Sequence, residues 1–182
     1  SHTDPAYVAL RTHLLEVQRR ADPAPGADAS NPSPSAAQDT PWGDSAKACY
    51  EHTIGLMIAL AKHFYPHISS TKLGQWKRKT GCELFGKTLG LIGFGRIGKE
   101  TAKRGIAMGM KVIGFGNYWD DDFAKQHGVQ RRSTVGDVLK EADVVSLHTH
   151  VSPATRGMIH KETIALMKPK ALLINTARGA LI

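Results

Sequence analysis

A glycine motif between residues 93 and 98 carries the first chemical signal of this sequence, because its spacing is G-x-G-x-x-G. In such a motif the first glycine permits a tight turn, the second lets the backbone approach a pyrophosphate, and the third lets a helix lie close to a strand. The backbone N–H groups that open this helix, together with its dipole, favour an anion. A glycine-rich turn can also be only a turn, so the motif needs its context. The candidate binding residues are Gly93, Phe94, Gly95, Arg96, Ile97 and Gly98.

The elements around the motif follow the order that a dinucleotide site requires. The apolar run 89–92 precedes the glycines, and a second strand-like run, 111–115, follows one amphipathic helix later, at the spacing of a βαβ unit. The remaining predicted strands are 129–130, 144–148 and 171–175, and the predicted helices are 99–108, 120–127, 133–142 and 161–167. This alternation predicts an α/β fold, a doubly wound parallel sheet with helices on both faces and its ligand at the carboxyl ends of the strands.

The sequence divides the chain into three parts, two of which lie ahead of the domain that contains the motif. Residues 1–20 have the apolar spacing of a short amphipathic helix, and residues 21–42 are rich in proline, alanine and serine. The second part predicts a linker or a disordered loop, with an ordered excursion over a neighbouring surface as the alternative. The dinucleotide-binding domain is then expected over residues 43–182. Its first helix, 45–62, is so densely apolar that we expect it to be buried on more than one side and to join two copies of the chain; another helical piece is expected at 69–76.

Composition limits the class of protein. The 182 residues suffice for one domain of ordinary size, and no apolar run reaches the length of a membrane span. No secretory signal is visible at the start, and the only two cysteines, Cys49 and Cys82, suit a reducing compartment, so a cytoplasmic protein is expected. Neither the cysteines nor His52 and His63 have metal-ligand spacing, and we expect no metal site.

The net charge of +8 is concentrated between residues 72 and 111, where ten lysines and arginines face only two glutamates. A basic segment beside a phosphate-binding turn can attract anionic cofactors and acidic substrates, contact nucleic acid, or form a solvated face. Few aromatic residues are interleaved with the charges, so binding of nucleic acid is the least favoured of these readings.

Several motifs, taken in order, resemble the D-isomer-specific 2-hydroxyacid dehydrogenases, the family that includes phosphoglycerate dehydrogenase, hydroxypyruvate and glyoxylate reductases, and formate dehydrogenase. The resemblance covers about residues 43–182 and is far more specific than the glycines alone. The segments that carry it are 45–53 (SAKACYEHT), 85–90 (FGKTLG), 147–149 (LHT), 152–157 (SPATRG) and 175–179 (NTARG).

The resemblance implies a Rossmann-like domain that binds NAD or NADP, as the cofactor-binding portion of an oxidoreductase. Such an enzyme transfers a hydride between the nicotinamide and a small 2-hydroxy or 2-keto acid. The family's active-site arginine corresponds to Arg178, whose guanidinium suits bidentate capture of a substrate carboxylate. Homodimers are also implied. The further positions implied to bind the cofactor are Asn117, His148, Thr149, Thr155, Thr176 and Ala177.

This sequence departs from the family pattern at three places. Gly116 stands where the family usually has an aspartate that binds the adenosine ribose, which leaves the choice between NAD and NADP open. His150 replaces the usual proline after the His-Thr pair. The family's catalytic glutamate and histidine lie beyond the position of Ile182, so the domain is expected to be truncated and this chain alone to be inactive. A non-catalytic dinucleotide sensor or scaffold, like the family's corepressors, is the alternative, and a remnant that binds nothing is a third reading.

Overall fold

The computed structural model describes residues 45–182, so the interpretations of residues 1–20 and 21–42 lie outside the described residues. Helices and strands alternate along the described part. The helices are α1 (Ser45–Ala61), α2 (Phe64–Lys72), α3 (Arg96–Ala107), α4 (Asp121–His127), α5 (Val135–Glu141) and α6 (Lys161–Ile164). The strands are β1 (Thr88–Ile92), β2 (Lys111–Phe115), β3 (Gln130–Arg131), β4 (Val144–Leu147) and β5 (Leu172–Asn175), and a 3-10 turn spans Gly179–Leu181.

The strands form one parallel sheet in the order β3-β2-β1-β4-β5. Strand β1 lies at its centre, and Leu89 is opposite Val112 of β2 on one side and Val144 of β4 on the other. The strand order therefore reverses between β1 and β4, which is where open α/β sheets bind their ligands. The predicted doubly wound, Rossmann-like sheet is confirmed.

Alternate residues of the central strand point into two separate cores. Leu89 and Leu91 pack in a core that includes Met57 of α1, whereas Ile92 packs on the opposite face with Val138 of α5. All of these side chains are fully buried, and each contributes about 1.5–3 kcal/mol through burial. Helical layers on both faces hold the sheet, and with it the carboxyl edge from which the site is built.

Helix α1 covers the sheet beside α3 and β5. Its buried residues form one stripe at helical spacing, Ala46, Tyr50, Thr53, Met57 and Ala61. Four further apolar side chains of the helix are only partly buried, so within the described part α1 is buried on one side rather than on several. Although α1 is the most apolar helix, none within residues 45–182 is long and apolar enough to span a membrane.

Two helix starts show how local polar groups set the element bounds. Asp120, the first residue of the predicted helix 120–127, is instead the N-cap of α4 and accepts from the backbone N–H of Phe123. The helix predicted over 133–142 begins later, at Val135, because Thr134 rather than Ser133 is its cap and forms a reciprocal capping box with Asp137. If Ser133 were the cap, the third helical residue would be Gly136, and glycine has no side chain to complete the box.

Several other bounds also differ from the sequence-based ones. Helix α2 occupies Phe64–Lys72 rather than 69–76, because Pro66 lies in its first turn, where no intrahelical N–H is needed. Helix α3 begins at Arg96 and so contains Gly98. Strand β3 is shifted by one residue, to Gln130–Arg131. Helix α6 ends at Ile164, three residues short of the predicted end.

The basic residues of α3 are largely paired. Lys99 lies 2.8 Å from Asp120, Lys103 lies 2.7 Å from Glu100, and Arg104 contacts the same glutamate. Residues 71–80 are exposed along their whole length and carry four further cations. Among the described residues, a concentration of positive charge therefore lies at the end of α2 and on the segment that follows it.

Candidate nucleotide-binding site

A cleft opens at the carboxyl edge of the sheet, between the ends of β1, β2 and β4. Seven of the residues predicted to bind a cofactor line it: Gly93, Phe94, Gly95, Asn117, His148, Thr149 and Thr155. Ile92, Phe115, Gly116, Tyr118, His150 and Met158 complete its wall. The cleft lies at the topological switch point, so the glycine motif and the end of β4, which lie side by side, both contribute to one site.

The three motif glycines differ in what an added side chain would meet. Gly93 has a φ of +105°, and a Cβ there would lie 2.4 Å from the carbonyl oxygen of His148. A Cβ on Gly98 would lie 2.3 Å from the carbonyl oxygen of Gly93. A Cβ on Gly95, by contrast, would meet no atom within 4 Å. The first and third glycines therefore allow close backbone packing, whereas the second leaves space open in the cleft.

The start of α3 faces this open space. Gly95 is the N-cap of the 12-residue helix and offers no side chain to accept from its first N–H groups. Arg96 and Ile97 form the first turn, and Arg96 is exposed. A helix start without a side-chain cap presents its first backbone N–H groups together with the positive end of the dipole. The arrangement can hold an anion such as a pyrophosphate without a cationic side chain.

The end of β2 forms the wall that would face an adenosine. Gly116 is buried, and a Cβ there would lie 3.1 Å from the backbone nitrogen of Phe94. Phe94 itself is buried and stacks on Trp119 with ring centroids 4.1 Å apart. Asn117 and Tyr118 are exposed. This wall therefore presents an amide and a phenol, and no carboxylate lies among the residues that line the cleft.

Three charged groups that follow this wall in sequence are already engaged. Asp120 accepts from Lys99 as well as from a backbone N–H, and these interactions lower the pKa of its carboxyl group, with the hydrogen bond from Lys99 as the largest cause. Arg132 donates two hydrogen bonds to Glu141, at 2.7 and 2.6 Å. Arg131 lies over the ring of Trp119, 5.5 Å from its centroid. None of the three residues lines the cleft.

His148 forms the part of the cleft wall that lies beside the glycine turn. Its backbone N–H donates to the carbonyl of Ile92 at 2.7 Å, and its ring Nε2 lies 3.0 Å from the hydroxyl of the fully buried Ser146. Burial lowers the pKa of the His148 imidazole to about 4, so the ring is neutral at physiological pH. Proton transfer by this ring near pH 7 is therefore disfavoured, and it acts as a neutral hydrogen-bonding group.

Thr155 lines the cleft, but its hydroxyl organises the loop after β4. The hydroxyl donates to the carbonyl of His150 at 2.8 Å and accepts from the N–H of Ser152 at 2.7 Å. The same loop brings Met158 into the wall. Thr155 thus shapes the cleft through the loop, and the resemblance that named it gave no indication of these bonds.

The residues after β5 lie outside the cleft wall. The Thr176 hydroxyl is 2.8 Å from that of Thr53, which ties this segment to α1. Ala177 donates its N–H to the side chain of Asn175. Arg178 is exposed, and its guanidinium donates to the carbonyl of Ala177 at 2.7 Å. The described chain therefore brings seven of the predicted residues into one cleft and places Arg178, Thr176 and Ala177 at the adjacent strand end.

Some residues of the cleft wall were not predicted as binding residues from the sequence, and only some of these had a sequence pattern that could have indicated them. Ile92 and Phe115 are the last residues of β1 and β2, so the strand bounds alone place them at the carboxyl edge. Tyr118 and His150 follow strand ends in the same way. Met158 had no such signal, because a loop brings it to the cleft. No three His, Cys, Asp or Glu side chains in the described part approach closely enough to hold a metal ion.

Comparison with known proteins identifies the family. The family model of the D-isomer specific 2-hydroxyacid dehydrogenase NAD binding domain matches residues 54–182. The D-3-phosphoglycerate dehydrogenase of Methanocaldococcus jannaschii is 45% identical over 134 residues, which are 72% of this chain and 26% of that protein. The hydroxypyruvate reductase of Thermotoga maritima is 43% identical over 143 residues, 77% of this chain and 45% of that protein.

Solved structures agree with these relatives. The D-lactate dehydrogenase of Aquifex aeolicus, in complex with NAD and lactic acid, is 37% identical with a TM-score of 0.71, over 76% of this chain and 42% of that one. The chain thus spans between about a quarter and just under half of the length of the curated relatives it matches. On this evidence the chain belongs to the D-isomer specific 2-hydroxyacid dehydrogenase family, in which it matches the NAD binding domain.

Proposed function

We propose that this chain binds a nicotinamide dinucleotide and is the cofactor-binding portion of an oxidoreductase acting on a 2-hydroxy or 2-keto acid. The observation that carries the proposal is the open space at Gly95, where an added Cβ meets no atom within 4 Å directly before the uncapped start of α3. A pyrophosphate fits a helix start of this kind. When bound, the nicotinamide supplies or accepts the hydride, and the chain's own residues hold it at the carboxyl edge of the sheet.

Arg178 is the proposed substrate-binding residue. It is exposed, and it follows β5, the neighbour of the strand that leads to His148. A guanidinium in this position can bind a carboxylate with two parallel hydrogen bonds and polarise the adjacent carbonyl. The relatives are named as dehydrogenases and reductases, which favours turnover over a non-catalytic sensor.

The proposal is tested by titrating the protein with NADH and following nicotinamide fluorescence. We expect saturable binding by the wild-type chain and its loss in Gly95→Val, because a branched side chain fills the space left for the pyrophosphate. Gly55→Ala is the matched control, since Gly55 lies on α1 and its added Cβ also meets nothing within 4 Å. Unchanged NADH affinity in a folded Gly95→Val protein would show that the glycines are only structural.

We further propose that the site discriminates weakly between NADH and NADPH. A carboxylate at the end of β2 would favour NADH, by binding the ribose hydroxyls and repelling a 2′-phosphate, but Gly116 occupies that position. Asp120 and Arg132 are held by other side chains. Asn117 can bond to either ligand without a charge preference.

Discrimination is measured as two dissociation constants, for NADH and NADPH, at one ionic strength, because a phosphate contact is sensitive to salt. The expected ratio lies within about tenfold, which corresponds to about 1.4 kcal/mol. A preference for NADH beyond a hundredfold would mean that another carboxylate, such as that of Asp121, turns into the cleft.

We also propose that two copies of the chain associate through helix 45–62 and the segment after it. The partly buried apolar residues of α1 support this surface, and large apolar side chains that follow it are exposed, among them Tyr65 at 74% and Trp76 at 85%. Sedimentation across micromolar concentrations tests the idea, and a monomer throughout would contradict it. The free Cys49 and Cys82 support a cytoplasmic setting, which cell fractionation of the expressed protein would test.

A further inference from the structure

The His148 ring has one nitrogen inside the protein and one at the cleft. Nε2 lies 3.0 Å from the hydroxyl of Ser146, a fully buried residue of β4. In the described part of the chain, every enclosed side-chain nitrogen and oxygen has a hydrogen-bond partner. His148 Nδ1 has no partner there, so it must reach solvent, and His148 reaches solvent in the cleft that it lines. The ring nitrogen that has no protein partner therefore belongs to a side chain that lines the space where a ligand would lie.

Ser146 determines which nitrogen carries the proton. The hydroxyl is buried, and His148 Nε2 is its only hydrogen-bond partner among residues 45–182. If Nε2 carried the proton, the serine would accept and its own O–H would be buried without an acceptor, a costly arrangement. If the serine O–H donates to an unprotonated Nε2, both groups have a hydrogen-bond partner, and the neutral ring carries its proton on Nδ1.

We propose that Ser146 fixes His148 as the Nδ1–H tautomer and that this N–H donates a hydrogen bond to an oxygen of the bound dinucleotide. The identity of the ligand in this proposal rests on the proposed function, whereas the tautomer of His148 does not depend on it. Ser146 is then a positioning residue, which acts on the ligand only through the imidazole.

The backbone of His148 keeps this donor beside the glycine turn. Its N–H donates to the carbonyl of Ile92 at 2.7 Å, and its carbonyl oxygen would lie 2.4 Å from a Cβ on Gly93. Its own Cβ is 3.8 Å from the position of a Cβ on Gly98. The donor is therefore held against the same turn that would bind the phosphates. Burial keeps the ring neutral, since it lowers the imidazole pKa to about 4.

A pair of amide substitutions separates the two nitrogens. In His148→Asn the amide N–H occupies the region of Nδ1, whereas in His148→Gln it occupies the region of Nε2. We expect His148→Asn to bind NADH within about twofold of wild type and His148→Gln to bind about five- to tenfold more weakly, the worth of one hydrogen bond. Equal weakening in both folded variants would overturn the proposal.

The tautomer itself is measured on the free protein, by the ¹⁵N chemical shifts of the ring in long-range NMR spectra. We expect a protonated Nδ1 and a bare Nε2 in the wild-type chain. In Ser146→Ala the preference should be lost, and NADH binding should weaken by about twofold as the donor tautomer falls to roughly half of the population.

A protonated Nε2 in the wild-type protein would overturn the assignment regardless of any ligand. If wild type binds NADH and Gly95→Val does not, while the two amide variants behave alike, the proposed function stands and the role of His148 fails. If wild type does not bind NADH, the proposed function fails and the donor loses its ligand, even where the NMR spectra show the Nδ1–H tautomer.

Discussion

Replacing Gly98 by alanine should destabilise the domain, although alanine favours helices. The added Cβ would lie 2.3 Å from the carbonyl oxygen of Gly93, a backbone atom that cannot rotate away. Overpacking against a fixed group costs up to about 3 kcal/mol. The higher helix propensity of alanine offsets at most about 1 kcal/mol of this loss in the free energy of unfolding. The expected net loss is therefore about 2 kcal/mol, because helix and turn must separate to admit one methyl group.

This loss is measured by thermal unfolding, followed by far-ultraviolet circular dichroism. For a domain of this size, 1 kcal/mol corresponds to about 2–4 °C, so the midpoint for Gly98→Ala should fall by about 4–8 °C. Gly95→Val should lose no more than about 1 kcal/mol, since its space is open and only the N-cap preference suffers. Gly55→Ala, in the exposed middle of α1, should raise the midpoint by up to about 4 °C. A Gly98→Ala protein as stable as wild type would refute the close approach of α3 to the turn.

Two further outcomes follow from buried polar groups. Because burial lowers the pKa of His148 to about 4, the unfolded chain binds a proton that the folded chain does not. Stability should then fall by about 3 kcal/mol as the pH drops from about 6.5 to about 4, and urea unfolding of His148→Asn should lack that component. Thr53→Val should cost about 1 kcal/mol in the same assay, because the Thr176 hydroxyl loses its buried partner, whereas Thr53→Ser should remain near wild type.

The sequence predicted the topology because its apolar runs are separated by strong breakers. Lys111–Phe115 was predicted to the residue, since Gly109 and Gly116 bound it on both sides. The start of α3 was placed three residues late, because Gly98 resembles the end of a turn and yet lies inside the helix. The position of Thr134 was recoverable, since its spacing to Asp137 forms a capping box.

Other features of the site were not recoverable from local patterns. No periodicity indicates that Ser146 is buried with a single polar partner, since it occupies an ordinary position in an apolar strand. The loop bonds of Thr155 depend on how residues after β4 fold back. The resemblance named Arg178 and His148 together, but only the structure separates one as exposed beside β5 and the other as part of the cleft wall.

The missing carboxylate at the end of β2 is coupled to the glycine turn. A Cβ at Gly116 would lie 3.1 Å from the backbone nitrogen of Phe94, so any side chain there pushes on the residue between Gly93 and Gly95. Phe94 cannot yield easily, because its ring is stacked on Trp119 at 4.1 Å and is buried. Restoring an aspartate would therefore add a charge for the ribose and at the same time displace the backbone that faces the pyrophosphate. An aspartate at position 116 would thus change the charge at the end of β2 and the position of the glycine turn together, through one backbone contact.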